Sequence, residues 1–169
     1  PAPVNAYGRT KLAGERAVLG YEHGYVVRTA WLYGAHGPNF VRTMARLAGE
    51  RDSVEVVDDQ VGQPTWTGDL AARIVELAGA EAAPAGIYHG TNGGRTSWFG
   101  LAREVFTLLG LDPERVRPTT SDRFPRPAAR PAFSVLGHGR WARAGLAPMR
   151  GWREALHAAW PSLRDAQRG

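Results

Sequence analysis

The sequence contains no cysteine. That single absence removes disulfide frameworks, thiol nucleophiles and thiolate metal sites together, and it points to a cytoplasmic setting. Long apolar runs are also missing. No window approaches the ~18 consecutive apolar residues of a membrane-spanning helix, and no basic-then-apolar leader is visible, so no membrane association is expected. The Gly-x-Ser-x-Gly elbow does not occur, which speaks against an α/β-hydrolase. Nor does His-Glu-x-x-His occur. The five histidines (His23, His36, His89, His138 and His157) stand far apart, so surface or capping positions are expected for them, and no metal centre. Asp58 and Asp59 are adjacent and point apart, which suits a turn better than an acid/base pair. Lysine is almost missing too. Of 21 Lys and Arg residues, only Lys11 is lysine.

What is present describes a globular chain. Its 169 residues, 43% hydrophobic and 22% charged, fit one domain-sized unit with a core of its own. The net charge of +5 favours an anionic partner. The arginines are scattered among acids and form no aromatic-interleaved stripe, so a phosphorylated small molecule is expected rather than nucleic acid. An arginine-rich composition explains most of the basic excess, but not why Lys11 escaped it.

Periodicity gives an alternating order. A helix opens near Asn5, presents Leu12, Ala13, Ala17, Val18 and Leu19 as an apolar face, and closes at Gly20. Gly24 to Trp31 reads as a buried strand and Phe40 to Glu50 as an amphipathic helix. Ser53 to Val57 alternates like a strand. Asp69 to Gly79 reads as a helix with Thr67 as its cap. Gly86 to Gly90 is a strand, and Ser97 opens another helix. Asp112 to Ala132 reads as extended loop, and a last helix runs from about Trp152 to Trp160. Strands alternating with helices imply an α/β fold with a largely parallel sheet.

Tyr7 and Lys11 stand four apart in the first predicted helix, which puts both side chains on one face. A free phenol titrates near ~10, and an adjacent ammonium stabilises the phenolate and eases proton exchange at neutral pH. A planar guanidinium is a poor substitute for that compact charge. The pattern alone is loose, and helices carry it by chance.

Its surroundings are more specific. YGRTKLAGE, RTAWLYG, GPNFVRTM, DDQVGQPT, GIYHGTNGGRTSWFGLAREVF and RPAFSVL follow one another in order. This succession, from about Tyr7 to Leu136 with a closing Trp152-Arg-Glu-Ala-Leu, resembles the extended short-chain dehydrogenase/reductases, in particular the dTDP-4-dehydrorhamnose reductases. The resemblance implies the C-terminal part of a Rossmann-like parallel sheet (about 1–34 and 53–90), interleaved with a small mixed α/β substrate-binding lobe (about 35–52 and 91–169). It implies hydride transfer from NADPH or NADH to the 4-keto group of a dTDP-sugar. Tyr7 would be proton donor, and Lys11 would hold the nicotinamide ribose beside it. Thr29 and Ala30 would pass along the nicotinamide, while Trp31, Asn39 and Arg130 would meet the nucleotide-sugar. Helix capping is the alternative for Asn39, and core packing for Trp31. At family level a homodimer is implied. A reductase for another nucleotide-deoxysugar, or a non-catalytic regulatory subunit of the same fold, are the competing readings.

The same resemblance puts a Gly-rich phosphate loop and a catalytic Thr or Ser ahead of the tyrosine. Six residues precede Tyr7. The chain is therefore expected to be the C-terminal half of a longer protein and inactive alone. Gly90-Thr-Asn-Gly93-Gly94 has the wrong spacing for a phosphate fingerprint and is expected to be an ordinary connection.

Overall fold

The computed structural model describes residues 2–3, 5–124 and 130–168. Helix α1 (Ala6–Leu19) starts where the Asn5 side chain accepts the Gly8 N–H at 2.9 Å, the local bond that makes asparagine a good cap. It closes at Gly20. The chain then turns through Gly24 into β1 (Tyr25–Arg28). A β-carbon at Gly24 would stand 2.1 Å from the Val18 carbonyl oxygen, so only glycine lets the strand start this close to the helix end. There follow β2 (Leu32–Tyr33), α2 (Phe40–Glu50), β3 (Val54–Val57), β4 (Val61–Gly62), β5 (Thr65–Trp66), α3 (Thr67–Gly79), β6 (Gly86–His89), β7 (Thr96–Ser97), α4 (Trp98–Leu108), β8 (Val116–Thr119), α5 (Gly139–Arg143) and α6 (Trp152–Arg168).

The strands pair two by two. β1 runs parallel to β6, β2 to β5 and β3 to β8, while β4 and β7 are antiparallel. Parallel pairs need long crossovers, and helices supply them here. The larger core joins α2, β3, α4, β8 and α6 through residues such as Val41, Val56, Phe106, Val116 and Leu156. A smaller one gathers Leu77, Tyr88 and Trp141 beneath β6. β3, grouped by sequence with residues 1–34, is hydrogen-bonded to β8 and packs on α4.

The structure departs from the sequence expectations at several places. The predicted strand Gly24–Trp31 breaks after Arg28, because Trp31 has φ +48°, a left-handed backbone incompatible with a strand. Within the predicted loop Asp112–Ala132, residues 116–119 form β8. Pro118 is tolerated there because β8 pairs along one edge only, with β3. Residues 125–129 of that loop lie outside the described residues. Thr67 does not cap α3. It is the helix's first residue, and the capping position falls on Trp66, whose side chain makes no cap bond. The Thr67 hydroxyl is pressed toward Gly34 instead, where a β-carbon would sit 2.3 Å from Oγ1. Helix α6 continues past Trp160 through Pro161, since Leu163 extends the buried face begun by Leu156 and Ala159. Finally, the apolar side of α1 is not buried within the chain: Val18 and Leu19 are 41% and 37% exposed. Among the described residues, no helix is long and apolar enough to cross a membrane.

Candidate active site

Tyr7 and Lys11 share one face of α1, with the Lys11 ammonium 5.5 Å from the centre of the Tyr7 ring. Tyr7 is 70% exposed, so neither group is committed to packing. One bidentate ion pair anchors their helix. Arg28, the last residue of β1, donates from Nε and Nη2 to the two Glu15 oxygens at 2.8 and 2.6 Å. That geometry resists rotation better than a single contact. The Arg28 guanidinium holds the Glu15 carboxyl below its ordinary value against the opposing effect of burial.

The pair matters because Arg28 leads through Thr29 and Ala30 to the bend at Trp31. Thr29 is exposed and Ala30 half-buried. Trp31 packs on two neighbours. Its ring stacks on Trp98 at 3.6 Å between centroids and 9° between planes. It also closes over Gly62, where a β-carbon would come within 2.5 Å of the indole. The Trp31 carbonyl also accepts the Thr65 N–H at 3.1 Å. A left-handed non-glycine residue costs on the order of 1–3 kcal/mol and persists only where its surroundings over-determine it. The stack, the glycine floor and the backbone bond do so here.

The stack leads to a cavity of about 450 Å³. Phe40 tilts against Trp98 at 4.6 Å, and both line the cavity together with Gln60, Ser121, Phe124 and Arg130. Arg130 thus reaches the wall that Trp31 supports from behind. Tyr7 and Lys11 are not among the lining residues. Asn39 caps α2: its Oδ1 accepts the Arg42 N–H at 3.1 Å and its Nδ2 donates to the Gly34 carbonyl at 2.9 Å. Both ends of the amide are engaged, and the bond fixes the start of the helix that carries Phe40.

Phe40, Trp98, Phe124 and Gln60 were not singled out by sequence. The two aromatics opening α2 and α4 look like helix-face apolar residues, and Gln60 looks like turn. The one available signal was their position directly after the helix caps Asn39 and Ser97.

The segment Gly90–Gly94 is structural. Thr91 and Asn92 are completely buried. The Asn92 Oδ1 accepts the Trp66 N–H at 2.9 Å, and its Nδ2 donates to Asp69 at 2.8 Å. Asp69 also receives Nε and Nη2 of Arg150. Gly93 exchanges backbone bonds with Arg150 and Trp152. The Thr91 hydroxyl donates to Gln63 at 2.9 Å and lies 2.8 Å from Nε2 of His138. His138 is therefore half-buried rather than on the surface. Burial, and then the nearby His89, depress its pKa.

The family described as RmlD substrate binding domain matches residues 1–164. The chain belongs to this family. It is 60% identical over 166 residues to a dTDP-4-dehydrorhamnose reductase of Streptomyces griseus, covering 95% of this chain and 55% of the relative. It is 56% identical to a dTDP-4-keto-6-deoxy-D-glucose reductase of Streptomyces niveus, covering 96% and 56%. A crystal structure of a Bacillus anthracis dTDP-4-dehydrorhamnose reductase in complex with NADP superposes with a TM-score of 0.88 at 39% identity, covering 95% of this chain and 57% of that one. The expected α/β, Rossmann-like architecture is therefore the architecture of the family. The chain spans about half the length of the curated relatives it matches.

Proposed function

We propose that the chain forms the catalytic helix and the nucleotide-sugar lobe of an NAD(P)H-dependent ketoreductase. The reaction is reduction of the 4-keto group of dTDP-4-dehydro-6-deoxy-L-mannose to give dTDP-L-rhamnose. The observation that carries this reading is the connected path from α1, through the Glu15–Arg28 clamp and the Trp31–Trp98 stack, to an aromatic cavity with Arg130 in its wall. The similarity to reductases of dTDP-4-keto sugars supports it.

The residues present fit the nicotinamide end of the cofactor. Tyr7 and Lys11 are exposed beside each other, and Thr29, itself exposed, and the half-buried Ala30 directly follow the clamp residue Arg28. When bound there, the nicotinamide would supply the hydride for C4 of the sugar. Tyr7 gives its hydroxyl proton to the developing alkoxide at the former ketone oxygen. The Lys11 ammonium balances the charge left on the phenolate and holds the ribose hydroxyls. Trp31 serves the sugar site by backing Trp98 in the cavity wall, and Arg130 binds the diphosphate. Asn39 contributes by seating Phe40. On this reading β1 and β6, within residues 1–34 and 53–90, continue the dinucleotide sheet, while β3, paired to β8, goes with the lobe that the remainder forms. The partner is the dTDP-sugar, a second copy of the chain completes a homodimer, and the setting is cytoplasmic.

The 56% identity to a dTDP-4-keto-6-deoxy-D-glucose reductase favours a second reading, a reductase for another dTDP-linked deoxysugar. Turnover of the two keto sugars side by side separates them. The cavity assignment has its own test. In the full-length protein dTDP is expected to quench tryptophan fluorescence through Trp98. Arg130→Ala is expected to weaken that binding about tenfold, the size of one charge-assisted contact to a phosphate. Equal affinity in wild type and variant would remove Arg130 from the diphosphate site.

A further inference from the structure

We propose that the side-chain carbonyl of Gln60 reads the base of the bound nucleotide, accepting the ring N3–H of thymine or uracil and discriminating against cytosine. The inference rests on the nucleotide-sugar reading of the cavity. It follows from a directional chain of hydrogen bonds that ends at the cavity wall.

The chain begins at Asp59, whose carboxylate can only accept. It takes the Ser121 N–H on Oδ2 at 2.8 Å and the Ser121 hydroxyl on Oδ1 at 2.6 Å. These bonds, the hydroxyl first, hold the Asp59 carboxyl below its ordinary value, so it stays ionised at neutral pH. Ser121 has one hydroxyl proton. Once that proton is given to Asp59, its oxygen is left as an acceptor. The Gln60 group 2.7 Å away must then be the amide nitrogen. The amide is thereby oriented. Its Nε2 faces Ser121, and Oε1 is turned away, with no hydrogen-bond partner among the described residues. Gln60 and Ser121 both line the cavity, so the oriented amide stands at its wall.

The rest of the cavity suits a planar ring. Phe40, Trp98 and Phe124 offer aromatic surface, and stacking on such surfaces tolerates any base. Identity must therefore be read at a ring edge through hydrogen bonds. Thymine and uracil carry a hydrogen on N3. Cytosine carries a lone pair there, which an oriented carbonyl oxygen repels. Glu55 also lines the cavity with an acceptor. However, Glu55 is an exposed strand residue, and among the described residues no hydrogen bond orients its carboxylate.

The test is calorimetric titration of the full-length protein with dTDP, dUDP and dCDP. The last two differ only along the base-pairing edge. Wild type is expected to bind dUDP roughly tenfold tighter than dCDP, as for one hydrogen bond replaced by a clash of acceptors. Gln60→Leu is expected to bring the ratio near one by weakening dUDP. Ser121→Ala leaves Gln60 in place but releases its amide to rotate, so dCDP is expected to gain affinity. A merely structural role for Ser121 would not produce that gain, and this arm keeps the test open if the leucine variant fails to fold. A ratio unchanged in both variants would overturn the inference while leaving the nucleotide site intact. So would a ratio lost in Glu55→Gln instead. Absence of binding by all three nucleotides to wild type would overturn the nucleotide reading itself, and this inference with it.

Discussion

Tyr7→Phe in the full-length protein is expected to lower kcat by about 10²–10⁴, the usual contribution of a positioned general acid. The melting temperature should stay where it is. Tyr7 is 70% exposed, and its hydroxyl has no hydrogen-bond partner among the described residues, so the substitution removes one oxygen and no packing. KM for the sugar nucleotide should change far less than kcat, because Trp31, Arg130 and the cavity are untouched. Steady-state kinetics beside a thermal melt separate these quantities. Turnover equal to wild type would remove Tyr7 from the chemistry. The Lys11 charge then would need another explanation.

Asp69→Ala is expected to be the most damaging single change to the fold outside the apolar core, at about 2–3 kcal/mol. That corresponds to a fall in melting temperature of roughly 5–10 °C for a chain of this size. Asp69 holds Arg150 bidentately and Asn92 through one bond, and Asn92 is completely buried and in turn accepts the Trp66 N–H. The alanine variant leaves Asn92 and Arg150 without their acceptor and loosens the junction of β5, α3 and α6. Burial alone would raise the Asp69 pKa, but the bonds from Arg150 and Asn92 outweigh it and hold the carboxyl below its ordinary value. A group depressed in the folded state adds stability that is complete above the unfolded carboxylate pKa. That stability is lost as the pH falls through the folded one. Glu15, depressed by Arg28, behaves the same way. Wild type is therefore expected to lose stability as acid passes below the ordinary carboxylate range, and Asp69→Ala to show a shallower loss there. Denaturant melts across that range check it. Parallel curves for the two proteins would mean that Asp69 titrates alike in folded and unfolded chains.

Much of the local structure was legible because it depends on neighbours in sequence. The asparagine and serine caps at Asn5, Asn39 and Ser97 stand where the helices start. Such caps bond to an N–H three residues away, so the chain's own order announces them. What could not be read depends on distant partners. The left-handed Trp31 is held by Trp98 and Gly62, far along the chain. β8 is a strand only because β3 lies beside it, and its Pro-containing sequence argues for loop. At the site, Tyr7 and Lys11 were visible as an i, i+4 pair. The clamp that positions their helix joins residues 13 apart. The Asp59–Ser121–Gln60 relay spans 62 residues, and Asp59, one of the adjacent aspartates that read as an ordinary turn, supplies its anchor.

The most direct measurement of the whole account is a stoichiometric turnover assay on the purified full-length protein. It uses dTDP-4-dehydro-6-deoxy-L-mannose with NADPH or NADH, and follows nicotinamide absorbance and sugar-nucleotide product together. The account predicts one reduced nicotinamide consumed for each dTDP-L-rhamnose formed, with dTDP as a competitive inhibitor. Binding of the sugar nucleotide without any oxidation of either reduced cofactor would contradict it and leave a non-catalytic subunit of the same fold.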